Sequence, residues 1–122
     1  MTDDAIKAQT QSLVLELRRG VVILAVLSQL HEEQYGYALM KGLEAQGMQI
    51  DQGTLYPLLR RLEEQALLKS DWRVEGSRPR RYYQLSAFGA NVLEEMTLEW
   101  SRIKTTVDEM LTPKKEHEDD VN

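Results

Sequence analysis

Apolar residues recur at helical spacing through four stretches of the chain and alternate at strand spacing through a fifth. From Gln11 to Leu30 one stripe carries Leu13, Leu17, Val21, Leu24, Leu27 and Leu30, widened by Val22, Ile23 and Val26. That width predicts a helix buried on more than one side. Gly20 interrupts it, marking either a kink or the start of the first helix of the domain. After the polar break "HEEQ", residues Tyr37 to Gln46 read as a short second helix with Gly47 placed to end it. A third helix is predicted over Gly53–Ala66, with Leu55, Leu58, Leu59 and Leu62 on its buried face.

The start of that third helix has two readings. Asp51 is a good N-cap, but Pro57 then falls six positions later, beyond the first turn where proline is tolerated. Either Thr54 is the effective cap, or the helix starts earlier and is strained near Gly53. Next, "LLKSDWRV" and "RRYYQLS" flank "EGSRP", which predicts a β-hairpin with a loop of several residues. Ser86 is placed to cap a last helix over Gly89–Leu111. Its apolar residues Leu93, Met96, Trp100, Ile103, Val107 and Met110 follow a three-four alternation. At ~1.5 Å per residue that helix is roughly 35 Å long, more than a small domain covers, and its seam favours another helix.

Helix, helix, helix, hairpin, helix is the order of a winged helix-turn-helix with an added C-terminal helix. The fold class is therefore mainly α with a small β-hairpin. Residues 1–17 form an N-terminal extension that is helical near its end, and 18–86 the winged helix-turn-helix. Residues 87–112 form a dimerisation helix, and the charged tail 113–122, with nothing to bury, is expected to be disordered. The seam of the last helix, together with Leu13 and Leu17 of the first, is the expected homodimer interface.

Composition narrows the partners. The net charge of −5 argues against nucleic acid, but its distribution does not. From Arg60 to Arg81 seven cations face four acids, a local +3, whereas Gly89 to Leu111 carries −3. Positive charge confined to the third helix and hairpin is the footprint expected of a DNA contact on an acidic protein. In a helix-turn-helix the second helix of the pair presents its N-terminal residues to the major groove. Gln52, Thr54, Tyr56, Arg60 and Arg61 lie on that polar face, and Arg78, Arg80 and Arg81 surround the hairpin tip. Arginine can bond guanine bidentately and glutamine adenine, while hydroxyls and wing arginines suit phosphates.

Other classes find less support. The chain has no cysteine, so it lacks disulfides, thiol nucleophiles and cysteine-based zinc sites. Its two histidines, His31 and His117, stand in a polar loop and in the tail, and "HEE" lacks the i, i+4 pair of a helical zinc site. No catalytic residue, metal or cofactor is read from the sequence, and an enzyme is not expected. The start "MTDDAIKAQTQ" is acidic and polar, and the longest apolar run, "VVILAVL", has seven residues. Neither a secretory signal nor a membrane span is expected, which points to the cytoplasm. A winged-helix protein-interaction module is the competing reading. It predicts no concentration of arginine at the hairpin and no salt-sensitive DNA binding.

Three segments carry a family resemblance. "YGYALMKGLE", "GTLYPLLRRLEEQALL" and "SRPRRYYQLSAFG", in this order and spacing, resemble the PadR family of bacterial transcriptional regulators. The likeness spans roughly Arg19 to Gly89, and the last helix fits the short-tailed branch. It implies a homodimeric repressor with the third helix and wing on double-stranded DNA and the last helix completing the dimer. It also implies release by an effector, often an aromatic compound. Trp100, flanked by Met96 and Lys104, is the candidate effector site: indole to stack, thioether to adapt, ammonium to pair with a carboxylate. One departure is Ala66, where such sequences usually have Gly at the end of the third helix.

Overall fold

The computed structural model describes residues 2–114. Helix α1 (Asp3–Ser28) starts at a side-chain cap: the Thr2 hydroxyl accepts a hydrogen bond from the Ala5 amide at 3.0 Å. Asp3 and Asp4 sit in its first turn, where the helix dipole favours negative charge. The helix thus begins eight residues before the expected Gln11 and runs unbroken through Gly20. Residues 3–12 carry no apolar stripe, and the described residues leave the first half of the helix open: Ile6, Leu13, Val14, Leu15 and Leu17 are all exposed. Only the second half enters the core, through Val26 and Leu27, followed by Leu30.

Strand β1 (Gln34–Tyr35) leads directly into α2 (Gly36–Ala45). Gly47, at φ 99°, ends α2 as expected. The Met48 amide bonds the Leu43 carbonyl at 2.9 Å and the Gly47 amide bonds that of Glu44 at 3.0 Å, a Schellman motif. Helix α3 (Gln52–Glu64) is capped by Asp51, whose Oδ1 accepts from the Thr54 amide at 2.8 Å. Of the two readings of its start, the earlier one is correct. Pro57 stands inside the helix as its sixth residue, and the amide it lacks would have pointed at the carbonyl of Gly53.

Helix α3 ends like α2 but without the glycine. Ala66 takes φ 67°, the Leu67 amide bonds the Leu62 carbonyl at 3.0 Å, and the Ala66 amide bonds that of Glu63 at 2.9 Å. The left-handed cap survives the departure from the family pattern, at the cost of a β-carbon in a region that penalises one. Ala66→Gly is therefore expected to raise stability by about 1 kcal/mol, read as a higher denaturant midpoint. An unchanged or lower midpoint would show that the cap carries no strain.

Strands β2 (Leu68–Glu75) and β3 (Arg78–Leu85) pair in register from Leu68↔Leu85 to Glu75↔Arg78, and β1 pairs on the other side of β3. The sheet is antiparallel in the order β1-β3-β2. Two residues, Gly76 and Ser77, make the turn, with Gly76 at φ 67°, so the loop is shorter than expected. Glycine first in a two-residue turn matches the twist of the strands. Helix α4 (Ala87–Leu111) is capped by Ser86, whose hydroxyl accepts from the Gly89 amide at 2.8 Å and donates to the Ala66 carbonyl at 2.7 Å. The end of α3 and the start of α4 are thus fastened together.

One core joins Leu39, Leu43, Leu55, Leu59, Leu62, Leu68, Tyr83, Leu85 and Leu93 with the buried end of α1. Leu93 corrects an expectation. It is enclosed by its own chain and offers no surface to a partner, and Met96 packs partly against the same core. The outward part of the expected seam is Trp100, Ile103, Val107 and Met110, with Leu13 and Leu17 on α1. No helix among the described residues is long and apolar enough to cross a membrane. The expectation for the tail falls mainly on 115–122, outside the described residues.

Candidate nucleic-acid interface

Between α3 and the wing lies an open cleft of about 650 Å³. Its α3 wall presents Gln52, Tyr56 and Arg60, one turn apart along the helix, with Leu59 beside Arg60. The wing contributes Trp72, Arg78, Pro79, Arg80, Arg81 and Tyr83, and the β1–α2 junction adds Tyr35, Gly36 and Tyr37. Six of the expected DNA contacts are thereby brought together: Gln52, Tyr56, Arg60, Arg78, Arg80 and Arg81. Thr54 and Arg61 are not among them. They lie on the other flank of α3, in a groove against α1 with Arg18, Val22 and Ile23.

The Tyr56 ring is seated on Gly36. A β-carbon there would stand 2.6 Å from Cε1 of Tyr56, so a larger residue would push the phenol ring from this seat. Burial pushes the Tyr83 phenol up, against the opposing pull of the Arg81 guanidinium, and keeps it a neutral group on the cleft floor.

The arginines differ in what holds them. Arg78 flanks the turn and, like Arg60, has no acidic partner among the described residues. Arg80 lies 4.4 Å over the Tyr35 ring and 3.4 Å from Glu75. Arg81 is not at the tip. Its guanidinium donates to Glu63 at 2.7 Å and to the Ser70 hydroxyl at 3.0 Å, and Ser70 donates to Glu63 at 2.7 Å. This closed set ties α3, β2 and β3 into one body and sets the wing against the helix. The expected crowd of arginines at the tip is corrected by strand parity: Arg78 and Arg80 share one face of β3, and Arg81 takes the face of Tyr83 and Leu85. On the outer face Arg73 pairs with Glu33 and Asp71, and lies 4.5 Å over Tyr82.

Tyr35, Tyr37 and Trp72 were not foreseen as cleft residues. The "YGY" flanking the start of α2 was their only local signal, and Trp72 stood in the alternation of β2. Chemically the cleft offers two guanidiniums without acidic partners, a carboxamide and several phenols to an extended polyanion.

The model of the transcriptional regulator PadR-like family matches residues 23–95. The chain belongs to this family. It is 46% identical to a PadR family transcriptional regulator from Eggerthella lenta, whose structure superposes with a TM-score of 0.84 over 90% of this chain and 98% of that one. A PadR-like regulator from Bacillus cereus, 29% identical, superposes with a TM-score of 0.72 over 81% of this chain and 99% of that one. The transcriptional regulator Rv3488 of Mycobacterium tuberculosis is 38% identical over 81 residues, 66% of this chain and 76% of that protein. This PadR-family chain is accordingly a DNA-binding transcriptional regulator with a winged helix-turn-helix, and not an enzyme. The family match contains every residue of the cleft and stops before Trp100.

Proposed function

We propose that this chain is a homodimeric repressor of a palindromic operator, read in the major groove by α3 and held along the backbone by the wing. The observation that carries this reading is the convergence of Gln52, Tyr56 and Arg60 with Arg78 on one cleft, with both arginines free of acidic partners among the described residues. Arg60 stands on a rigid helix and reads a base edge. Arg78 stands beside the turn and meets phosphate. Arg81 holds the wing in position, and Thr54 and Arg61, turned toward α1, take no part in base reading.

Titration of two variants on matched and scrambled duplexes at several salt concentrations tests this division. Arg60→Ala is expected to cost about 1–3 kcal/mol on the matched site and to relax its base preference. Arg78→Ala should weaken all sequences alike and lower the salt slope by about one. Unchanged affinity in both variants would contradict the reading.

The dimer is supported by the outward apolar row of α4 and the exposed first turns of α1. In the same reading, a flat aromatic effector releases the repressor at Trp100, which is 39% exposed in the single chain. Met96 lies one turn before it, and Lys104, 3.8 Å from Asp108, one turn after. In Trp72→Phe, which leaves Trp100 as the only indole, phenolic acids and planar cations should quench fluorescence saturably as DNA is released. A panel that neither quenches nor releases DNA would remove the effector from the account.

A further inference from the structure

Thr54 and Arg61 belong to α3 yet stand outside the DNA cleft, and what they face is a second concavity. It lies between α1 and α3 and has a volume of about 960 Å³. Its walls are apolar: Leu15, Val22 and Ile23 from α1, Pro57 and Leu58 from α3. Leu15 and Val22 stand about two turns apart on one face of α1. Leu13 and Leu17, two positions from Leu15 in either direction, lie on the other side of the helix. A single helix laid along Leu13 and Leu17 therefore leaves Leu15 and the groove uncovered.

The rim of this groove is cationic. Arg18, Arg19 and Arg61 stand around it against one carboxylate, Asp51, which is already engaged by the Thr54 amide. Arg19 pairs with Glu16, and Arg18 donates to the Gln49 carbonyl at 3.1 Å. Arg61 has no acidic partner among the described residues. A complementary occupant is apolar where it enters and acidic around that point. The end of α4 has this make-up. Met110 and Leu111 are 77% and 74% exposed, and from Asp108 to Asn122 six acids face two lysines. The end of the helix also projects away from its own core. Leu93 is held inside, and Leu111 stands about 27 Å further along the same axis.

We infer that the α1–α3 groove of each copy receives the C-terminal end of α4 from a second copy, with Met110 and Leu111 on its apolar walls and the neighbouring carboxylates at Arg18 and Arg61. This rests on the homodimer proposed above and adds to it a contact with α3. Gln52, Tyr56 and Arg60 look into the DNA cleft from one flank of that helix, while Thr54, Leu58 and Arg61 meet the partner on the other. The partner's α4 thus braces the helix that reads DNA, and base reading by each copy depends on the other.

The chain has no cysteine, so single introduced thiols report this contact without background. Thr54→Cys and Leu111→Cys both replace exposed residues and leave the core intact. A mixture of these two full-length variants, treated with a short bis-maleimide, should give a linked pair containing one chain of each kind. Arg61→Glu should keep its circular dichroism and raise the dimer dissociation constant roughly tenfold in sedimentation, with a smaller change at high salt. A mixture that sediments as dimer without linking, beside an Arg61→Glu variant that dimerises as wild type does, would overturn the inference and leave the homodimer standing. A link formed within one chain carrying both cysteines, at dilutions where only monomer is present, would assign the groove to the chain's own end instead. Wild type that stays monomeric at every concentration would overturn both the inference and the dimer.

Discussion

Gly89→Ala is expected to destabilise the fold by about 3 kcal/mol or more. A β-carbon at Gly89 would lie 1.9 Å from the Leu67 carbonyl oxygen and 2.8 Å from its carbon. Neither atom belongs to a flexible side chain. The same carbonyl accepts the Ser86 amide at 3.0 Å and the Ser86 hydroxyl at 3.2 Å, so it cannot retreat without opening the joint between α3 and α4. Alanine would add up to about 1 kcal/mol of helix propensity, which is smaller than the clash and of opposite sign. Denaturant unfolding measures the balance. A loss below about 1 kcal/mol would mean that the joint yields easily.

The second large effect belongs to the surface the chain leaves open. Ile103 is 47% exposed in the single chain, so Ile103→Asp should leave the monomer folded, with unchanged circular dichroism. In the proposed dimer the same position would face the partner between Trp100 and Val107. A carboxylate there loses its water without gaining a cation, at a cost of several kcal/mol. Sedimentation should show monomer at concentrations where wild type is dimeric. Operator affinity should fall with it, because two half-sites then bind separately and the gain from linkage disappears. A variant that sediments as an unaltered dimer would place the interface elsewhere.

Much of this was legible in residue order. The helices followed from 3.6-residue periodicity, and Asp51, Ser86 and Gly47 marked their ends because capping is a local interaction. What escaped depends on neighbours distant in sequence. The first turns of α1 carry no stripe and are exposed among the described residues, although Thr2 with two following aspartates was a usable start signal. Strand β1 has two residues, too few to show a period. The three-four alternation of α4 runs without change from Leu93, inside the core, to Met110, outside it. Periodicity reports a face, not what covers it.

The cleft was half visible. Residue types and local charge pointed to α3 and the wing, but not to how the arginines divide their work. Parity along β3 carried that division: Arg81 shares a face with Tyr83 and Leu85 and is drawn inward to Glu63. The Gly-Ser pair also marked a two-residue turn, which would have moved Arg80 and Arg81 away from the tip. Reading "EGSRP" as a longer loop hid both facts.

Selection of bound fragments from random double-stranded DNA addresses the central claim most directly. Wild type should enrich a two-fold symmetric sequence with half-site centres about one helical turn (~34–36 Å) or a multiple apart. Recovery of no common sequence, or of a single asymmetric site, would contradict a dimer that reads DNA through α3 and the wing.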